Sequence, residues 1–459
     1  MNKPHRTKNQ LNENAIGESY LGKAAIAHCR KSANSLSRYG AFTGSDRPDL
    51  EGGYPFVVSK GKGCNLWSLG GQEFIDFTCA TGAVILGYAY PDIVDAVSKR
   101  ASFGNIFITP YSDEMGILAE QLVDIIPSAE KVAFFRTGSC GTTAAVRLAR
   151  VFTERDIILT CGYHGWHDWH QGIFPRFKFA DDRHIEFGYN LNLLEQLLEK
   201  HRGKVAAVII TPEPAFFPDS YFHELSEIVS SYDALLIFDE VMSGFRYQLG
   251  GVQARCGVKP DISIFGKGLA NEYSLSVVVG RAEIIDARSK THLAGTFNHE
   301  MTPIVAAIKT LDIIKKRNVI ETIQDRGRIL LDGLEKLFEH YGIISEITDT
   351  PAIFHVIFDT EEFAQAFYKK CLEFNLIFNR FDQQMISFSH SPEVIKTAID
   401  TVEEVLRQMY KSHPAAFENW NKELSSSAKK YRTLHEFGGL CNYRLPVDSI
   451  PRKWHQDDR

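Results

Sequence analysis

The chain has no C-x-x-C pair. Its eight cysteines, at positions 29, 64, 79, 140, 161, 256, 371 and 441, are scattered over 459 residues. That scatter argues against a disulfide scaffold or a common zinc motif, and it fits a reducing, cytoplasmic setting. No apolar run is long enough to span a membrane. Ala24-Ala25-Ile26-Ala27 is too short for the apolar core of a signal peptide, so no leader is expected. Basic charge is not in excess: Lys and Arg total 51 against 57 Asp and Glu, a net charge of −6. Nothing in that balance calls for nucleic acid as a partner. Internal repeats and low-complexity tracts are also missing.

What remains is an ordinary composition, 44% hydrophobic and 24% charged, with enough apolar material for a large core. From Gly52 to Phe77, two glycine turns (Gly61-Lys62-Gly63 and Gly70-Gly71) separate short β-prone runs, which predicts an antiparallel meander. From Pro91 the pattern alternates. Strands are expected at 131–135, 156–160, 205–210, 234–238, 261–265 and 275–279, with helices at 142–153, 191–202 and 221–230 between them. Such alternation predicts a mainly parallel sheet covered by helices on both faces. Beyond Thr302, helices at 303–317, 321–341, 360–374 and 392–410 flank apolar runs near 353–358 and 384–388, which reads as a smaller α+β lobe.

The chemistry centres on Asp261-Ile262-Ser263-Ile264-Phe265-Gly266-Lys267-Gly268. A buried strand there delivers a lysine between two glycines, which are expected to let the backbone turn and a ligand approach. Such a lysine can bond covalently to a carbonyl. It can also be a plain solvated loop residue. A second apolar strand, Leu235 to Phe238, ends in Asp239-Glu240, with Asp239 28 positions before the lysine. Open α/β sheets bind ligands at the carboxyl ends of their strands. A buried Asp needs a protonated partner, and a pyridinium nitrogen beside a Lys-linked pyridoxal is one.

Arg136-Thr137-Gly138-Ser139-Cys140-Gly141-Thr142-Thr143 lies between a strand and a helix. Free N–H groups, hydroxyls and the positive dipole end would converge there on an anion. An ordinary helix cap would need only one of those hydroxyls. No Gly-Lys-Ser/Thr follows at P-loop spacing. Cys161 to His170 carries three histidines and an Asp within seven residues, but not at a standard zinc spacing, and no metal is expected. Its aromatic residues suit a floor for a planar ring, Tyr163 first among them. Glu213, after the strand Val205–Ile210, is placed to face the same edge, and Thr296 adds a hydroxyl in a loop.

Taken together, Tyr163-His164-Gly165, Phe238 to Arg246, Phe265-Gly266-Lys267-Gly268 and Ala294-Gly295-Thr296-Phe297 resemble the class III aminotransferases of fold type I. The branch containing glutamate-1-semialdehyde aminomutase gives the nearest motif match, over roughly residues 50 to 410. The resemblance implies a fold type I pyridoxal-phosphate (PLP) transferase: a large, mainly parallel sheet domain plus a smaller α+β domain built from N- and C-terminal segments. It implies boundaries at 1–78, 79–310, 311–410 and a C-terminal extension at 411–459. By the same resemblance Lys267 forms the pyridoxal 5'-phosphate aldimine and Asp239 pairs with the ring nitrogen. Val241 and Tyr163 sandwich the ring, and Gly138 and Ser139 bind phosphate. Thr296 reaches the phosphate of the partner in a homodimer with shared active sites.

Several positions depart from the aminomutase pattern. Cys140 stands where the phosphate turn carries a Glu, and His299 stands where a glycine is usual. The segment from Trp169 to Lys204 is short beside the aminomutase lid, and its substrate-binding Arg has no counterpart beyond nearby Arg47. The expected activity is therefore transfer from an amino donor, an amino acid, to a polar carbonyl acceptor such as a keto- or aldehydo-sugar. Aminomutase-like intramolecular transfer is the alternative. A silent scaffold that keeps the fold is a third reading, opposed by the retention of Lys267, Asp239 and the phosphate turn. Substrate contacts are expected from Glu213, Arg246 and Asp382.

Overall fold

The computed structural model describes residues 58–109, 111–170, 183–380 and 383–412. Arg47, Asp382 and the aromatic residues of the C-terminal extension lie outside the described residues, as does much of the Trp169–Lys204 segment. The chain opens with β1 (Val58–Lys62), β2 (Asn65–Ser68) and β3 (Glu73–Asp76), paired antiparallel. The first turn falls later than expected. β1 runs on through Lys62, and Gly63 takes the left-handed φ of +61°. Gly61 serves packing instead: a Cβ there would lie 2.9 Å from the ring of Tyr88.

Helix α1 (Pro91–Ala101) begins on the expected proline, whose missing N–H costs nothing at a helix start. Then follow α2 (Asp113–Ile125), β4 (Lys131–Phe135), α3 (Gly138–Thr153), β5 (Ile157–Cys161), β6 (His184–Glu186) and α4 (Leu191–Lys200). After these come β7 (Val205–Ile210), α5 (Asp219–Ser231), β8 (Leu235–Glu240), α6 (Val252–Cys256), β9 (Ile262–Phe265), β10 (Ser276–Gly280) and α7 (Ala282–Asp286). The large sheet has seven strands in the order β4-β10-β9-β8-β7-β5-β6. All run parallel except β10, which is antiparallel to both neighbours. Because side chains alternate across a strand, Leu236 and Phe238 enter the core on one face. Leu235 and Ile237 enter the core on the other. Burial on both faces explains why these strands read as continuous apolar runs.

Helices α8 (Met301–Lys316) and α9 (Val319–His340) lead into the second lobe. That lobe holds β11 (Ser345–Ile347), β12 (Ile353–Phe354), β13 (Val356–Phe358), α10 (Glu361–Glu373), β14 (Leu376–Ile377), β15 (Gln384–Met385) and α11 (Pro392–Ser412). β14 adds in parallel to β3, so the early meander and the late segment share one four-stranded sheet. The smaller domain is therefore built from both ends of the described chain.

His390 closes that union. It is fully buried and stacks on Phe77 at 4.6 Å. Its Nδ1 accepts the Ser387 N–H at 2.9 Å, and its Nε2 donates to the Asp76 carbonyl at 3.1 Å. Burial, helped by the charges of Arg326 and Arg246, lowers its pKa from 6.5 to about 4. The unfolded chain binds this proton between those values and the folded chain does not, so folding stability is full above pH 6.5 and falls as pH drops toward 4. The loss from this one group is on the order of 3 kcal/mol at 1.36 kcal/mol per pKa unit. We expect His390→Gln to be less stable than the parent at pH 7, with the gap narrowing steadily on acidification to pH 4.5. Denaturant unfolding across that range measures it, and parallel pH profiles for the two proteins would refute the assignment.

Candidate active site

Asp239 and Glu240 end β8 side by side, and strand geometry sends them to opposite faces. Glu240 is fully buried and caps α6, accepting N–H bonds from Val252 at 2.6 Å and Gln253 at 3.1 Å. Burial pushes its carboxyl up to about 7. Asp239 is only 4% exposed. Its Oδ2 lies 2.9 Å from Nδ1 of His164, and its Oδ1 accepts the Val241 N–H at 3.2 Å. His164 is held in turn: Thr142 Oγ1, on α3, donates to its carbonyl at 2.6 Å. Trp169, whose ring stacks on His164, donates from Nε1 to Thr143 Oγ1 at 2.9 Å. The loop after β5 is thereby pinned to the helix that begins at the glycine-serine turn.

Lys267 starts a 3-10 turn just past β9, and its Nζ donates to Met242 Sδ at 3.5 Å. The lysine itself takes the left-handed φ of +46°. That corrects the expectation that its flanking glycines supply the turn. Gly266 is extended at φ −168°. Its need is space, because a Cβ there would sit 3.3 Å from the Leu275 carbonyl of the incoming β10 segment.

Helix α3 starts at Gly138, four residues before the expected 142. Thr137 Oγ1 takes the Cys140 N–H at 3.2 Å, and the Thr137 carbonyl takes that of Gly141 at 3.0 Å. The N–H groups of Gly138 and Ser139 are the ones a helix start leaves without an intrahelical acceptor. A Cβ on Gly138 would lie 2.9 Å from Val241 Cγ1, so the helix start, Val241 and the end of β8 are in close contact. Gly165, at φ +93°, turns the β5 loop against Ser139. Tyr163 in that loop remains 40% exposed, and burial together with the Asp239 charge raises its hydroxyl pKa. Thr296 is exposed at the start of a short 3-10 turn. That turn is tied to the end of β4 through a 2.7 Å ion pair between Arg136 and Glu300.

Arg246, expected as a substrate contact, is committed to backbone carbonyls. It is fully buried, and its guanidinium donates to the carbonyls of Ile386 at 3.0 Å and of Gly82 and Val84 at 3.1 Å each. A cation committed to three carbonyls staples the early segment and the second lobe to the β8 loop. Glu213 lies at the sheet edge but is 4% exposed, beside Tyr247. Burial and then the Glu213 charge raise the pKa of that tyrosine's hydroxyl. Asp382 lies outside the described residues. Sequence reasoning missed His164 as the partner of Asp239, although it stands inside a motif read for its tyrosine. It also missed Met242 beside Lys267.

Pyridoxal phosphate fits this donor set. One sheet edge brings together an amine, a buried carboxylate, a helix start with two N–H groups to offer, and a branched aliphatic side chain beside that helix start. The cradle depends on Gly138, since a Cβ would crowd Val241 out of it.

A family model described as aminotransferase class-III matches residues 49–170 and 167–409. The chain is 36% identical over 334 residues to the 2'-deamino-2'-hydroxyneamine transaminase of Streptomyces kanamyceticus, covering 72% of this chain and 85% of that one. It is 33% identical to the 3-aminobutyryl-CoA aminotransferase of Cloacimonas acidaminovorans, covering 81% and 94%. It is 30% identical to the glutamate-1-semialdehyde 2,1-aminomutase of Persephonella marina, covering 77% and 92%. An omega-transaminase from Sphaerobacter thermophilus superposes with a TM-score of 0.76 at 23% identity, over 84% of this chain and 97% of that one. At that identity the likeness carries the fold alone.

Borohydride reduction of the cofactor-loaded protein, followed by peptide mapping, is expected to label Lys267, and Lys267→Ala to abolish the label. A label on any other lysine would sink the assignment. His164→Ala should lower turnover by about 10²-fold, the scale on which misplacing a functional group slows a reaction. Asp239→Ala should lower it further, and near-normal turnover in either variant would count against the pair.

Proposed function

The chain belongs to the class-III aminotransferases, a pyridoxal-phosphate-dependent family. On that premise we propose that it moves an amino group from an amino acid to a keto- or aldehydo-sugar. Bound pyridoxal phosphate supplies a carbon that exchanges amines and a ring that accepts carbanion charge. In this reading Lys267 tethers the cofactor. Its Nζ would also serve as the base and then the acid that moves a proton at the amine-bearing carbon of the substrate. Asp239 holds the proton on the ring nitrogen. His164 is a positioning residue: it takes one carboxylate oxygen and fixes the plane of the other. Gly138 and Ser139 anchor the phosphate at the helix start. Val241 and Tyr163 flank the ring.

The burial of Arg246 carries the choice of acceptor. An aminomutase must grip the carboxylate of a small, doubly functional substrate, and a fixed cation is the natural clamp. The arginine nearest to hand in the motif is already held by three backbone carbonyls. The 36%-identical relative, named for a hydroxyneamine, supports a hydroxylated acceptor. The 30%-identical aminomutase supports the second reading, intramolecular transfer within glutamate-1-semialdehyde.

An exposed apolar surface supports a homodimer with shared sites. Phe103, Ile108, Tyr111 and Phe297 are each more than half exposed. The stretch from 106 to 111 lies along the Thr296 turn: Ile106 bridges to Glu300, and Tyr111 stacks on His299 at 5.5 Å. Thr296 would then reach the phosphate bound by a second copy, at an interface that removes this surface from water. Sedimentation at assay concentration should find the active species dimeric, and an active monomer would refute the shared site.

The substrate reading is tested by presenting the aminated cofactor form with keto-sugars, free and nucleotide-linked, and with glutamate-1-semialdehyde. Amination of a sugar is the expected outcome. Efficient isomerisation of the semialdehyde with no sugar turnover would reverse the ranking.

A further inference from the structure

Behind the Tyr163 loop, away from Lys267, the edge strand β6 brings two side chains against the end of β5. His170 is 2% exposed. The side chains of His184 and Glu186 are 6% and 12% exposed. His184 Nε2 is the hub. It lies 3.3 Å from His170 Nδ1, 3.5 Å from Glu186 Oε1 and 2.8 Å from Thr160 Oγ1. One ligand atom from each of His170, His184 and Glu186 lies within 4.8 Å of both others. A single N–H on His184 can serve only one of these three neighbours at a time. Two buried polar atoms of the group, His170 Nε2 and Glu186 Oε2, have no hydrogen-bond partner among the described residues. Hydrogen bonding within the group therefore leaves it incompletely satisfied.

We propose that His170, His184 and Glu186 bind a divalent cation of the zinc class. Two imidazoles and a carboxylate are a known zinc donor set that leaves a fourth position for water or a hydroxyl. The spacing selects the geometry. Donors about 2.05 Å from a tetrahedral ion stand about 3.3–3.4 Å apart, whereas octahedral neighbours at about 2.1 Å stand about 3.0 Å apart. The two edges measured from His184, 3.3 and 3.5 Å, match the tetrahedral case. Thr160 Oγ1, 2.8 Å from His184 Nε2, is too near for a tetrahedral edge, which leaves the fourth position to water. The ion joins edge strand β6 to the loop after β5, which carries Tyr163 and His164. His170 and His164 have ring centroids 5.1 Å apart, so the cation stiffens the support of the Asp239 partner without entering the reaction.

The test uses the cofactor-loaded full chain, stripped with a chelator and titrated with cobalt(II) and then zinc. Expected are one equivalent per chain, the strong visible absorption of tetrahedral cobalt(II), its bleaching by zinc, and a rise in melting temperature with zinc. His184→Gln and Glu186→Gln should each weaken uptake at least tenfold. Their cofactor absorbance and their melting in chelator should stay near the parent's, which separates lost ligation from misfolding. Because the cofactor can chelate metals itself, uptake that is equal in the parent and both variants overturns the proposal. The absence of saturable cobalt absorption in the parent overturns it as well.

Discussion

A carboxylate at the end of a fully buried strand is the constraint around which the site is arranged. Asp239 is almost out of water, and an ionised group in that position costs several kcal/mol unless it is hydrogen-bonded. The Val241 N–H and the His164 imidazole satisfy part of that need and leave acceptor capacity toward the sheet edge. The imidazole is useful only if it cannot swing away, and much of the neighbouring structure prevents that. Thr142 holds its backbone, Trp169 covers its ring, and Gly165 turns the loop tightly enough to meet Ser139. The glycine-serine turn and the Asp239 partner are thus one mechanical unit.

The two lobes are joined on the same economy of buried polar groups. Among the described residues Arg246 has no carboxylate partner. Its charge is spread over the carbonyls of Gly82 and Val84 in one stretch and of Ile386 in another. Gln324 Nε2 then donates to the Arg246 carbonyl at 2.8 Å, bringing α9 into the joint. Removing any one acceptor would leave part of a buried guanidinium unsatisfied, a heavier loss than an average hydrogen bond. His390, neutral and bonded at both nitrogens, performs the matching task between Phe77 and Ser387. The site therefore stands on a rigid frame rather than on mobile loops.

How much of this was legible in the sequence follows from how local each signal is. The strands of the large sheet fell within a residue or two of their expected places, because burial on both faces writes them as unbroken apolar runs. β6, three residues long and only half-buried, carried no such run. Lys267, Asp239 and the glycine-serine turn were readable because each sits at the end of a strand or just past it. Their partners were not. His164 is 75 positions from Asp239, and only the strand order β8-β7-β5 brings them together. The acceptors of Arg246 were hidden for the same reason: they lie 140 or more positions away, so the sequence could offer it only as an arginine for substrate. α3 was placed four residues late because Thr137, as the cap, lets the glycine-rich stretch itself be helical.

The conformation of Lys267 is the last consequence. A non-glycine residue in the left-handed region costs on the order of 1–3 kcal/mol and persists only where its surroundings leave no alternative. Those surroundings are visible. The Gly266 carbonyl accepts the Leu269 N–H at 2.9 Å, and a Cβ on Gly266 would meet the Leu275 carbonyl at 3.3 Å. The turn ends at Ala270 and is followed by Asn271, which is fully buried. Asn271 Oδ1 accepts the N–H groups of Ile85 and Leu86 at 3.0 and 2.8 Å, and its Nδ2 donates to the Gly87 carbonyl at 3.0 Å. The backbone on both sides of Lys267 is thus held by contacts it cannot exchange for water. The lysine absorbs the mismatch in its own φ, and its side chain leaves the turn in the direction of Met242. A glycine at 267 would relieve the strain but remove the amine. Asn271 and Glu272 also take positive φ, of +34° and +80°, so the strain is shared along the turn that presents the amine.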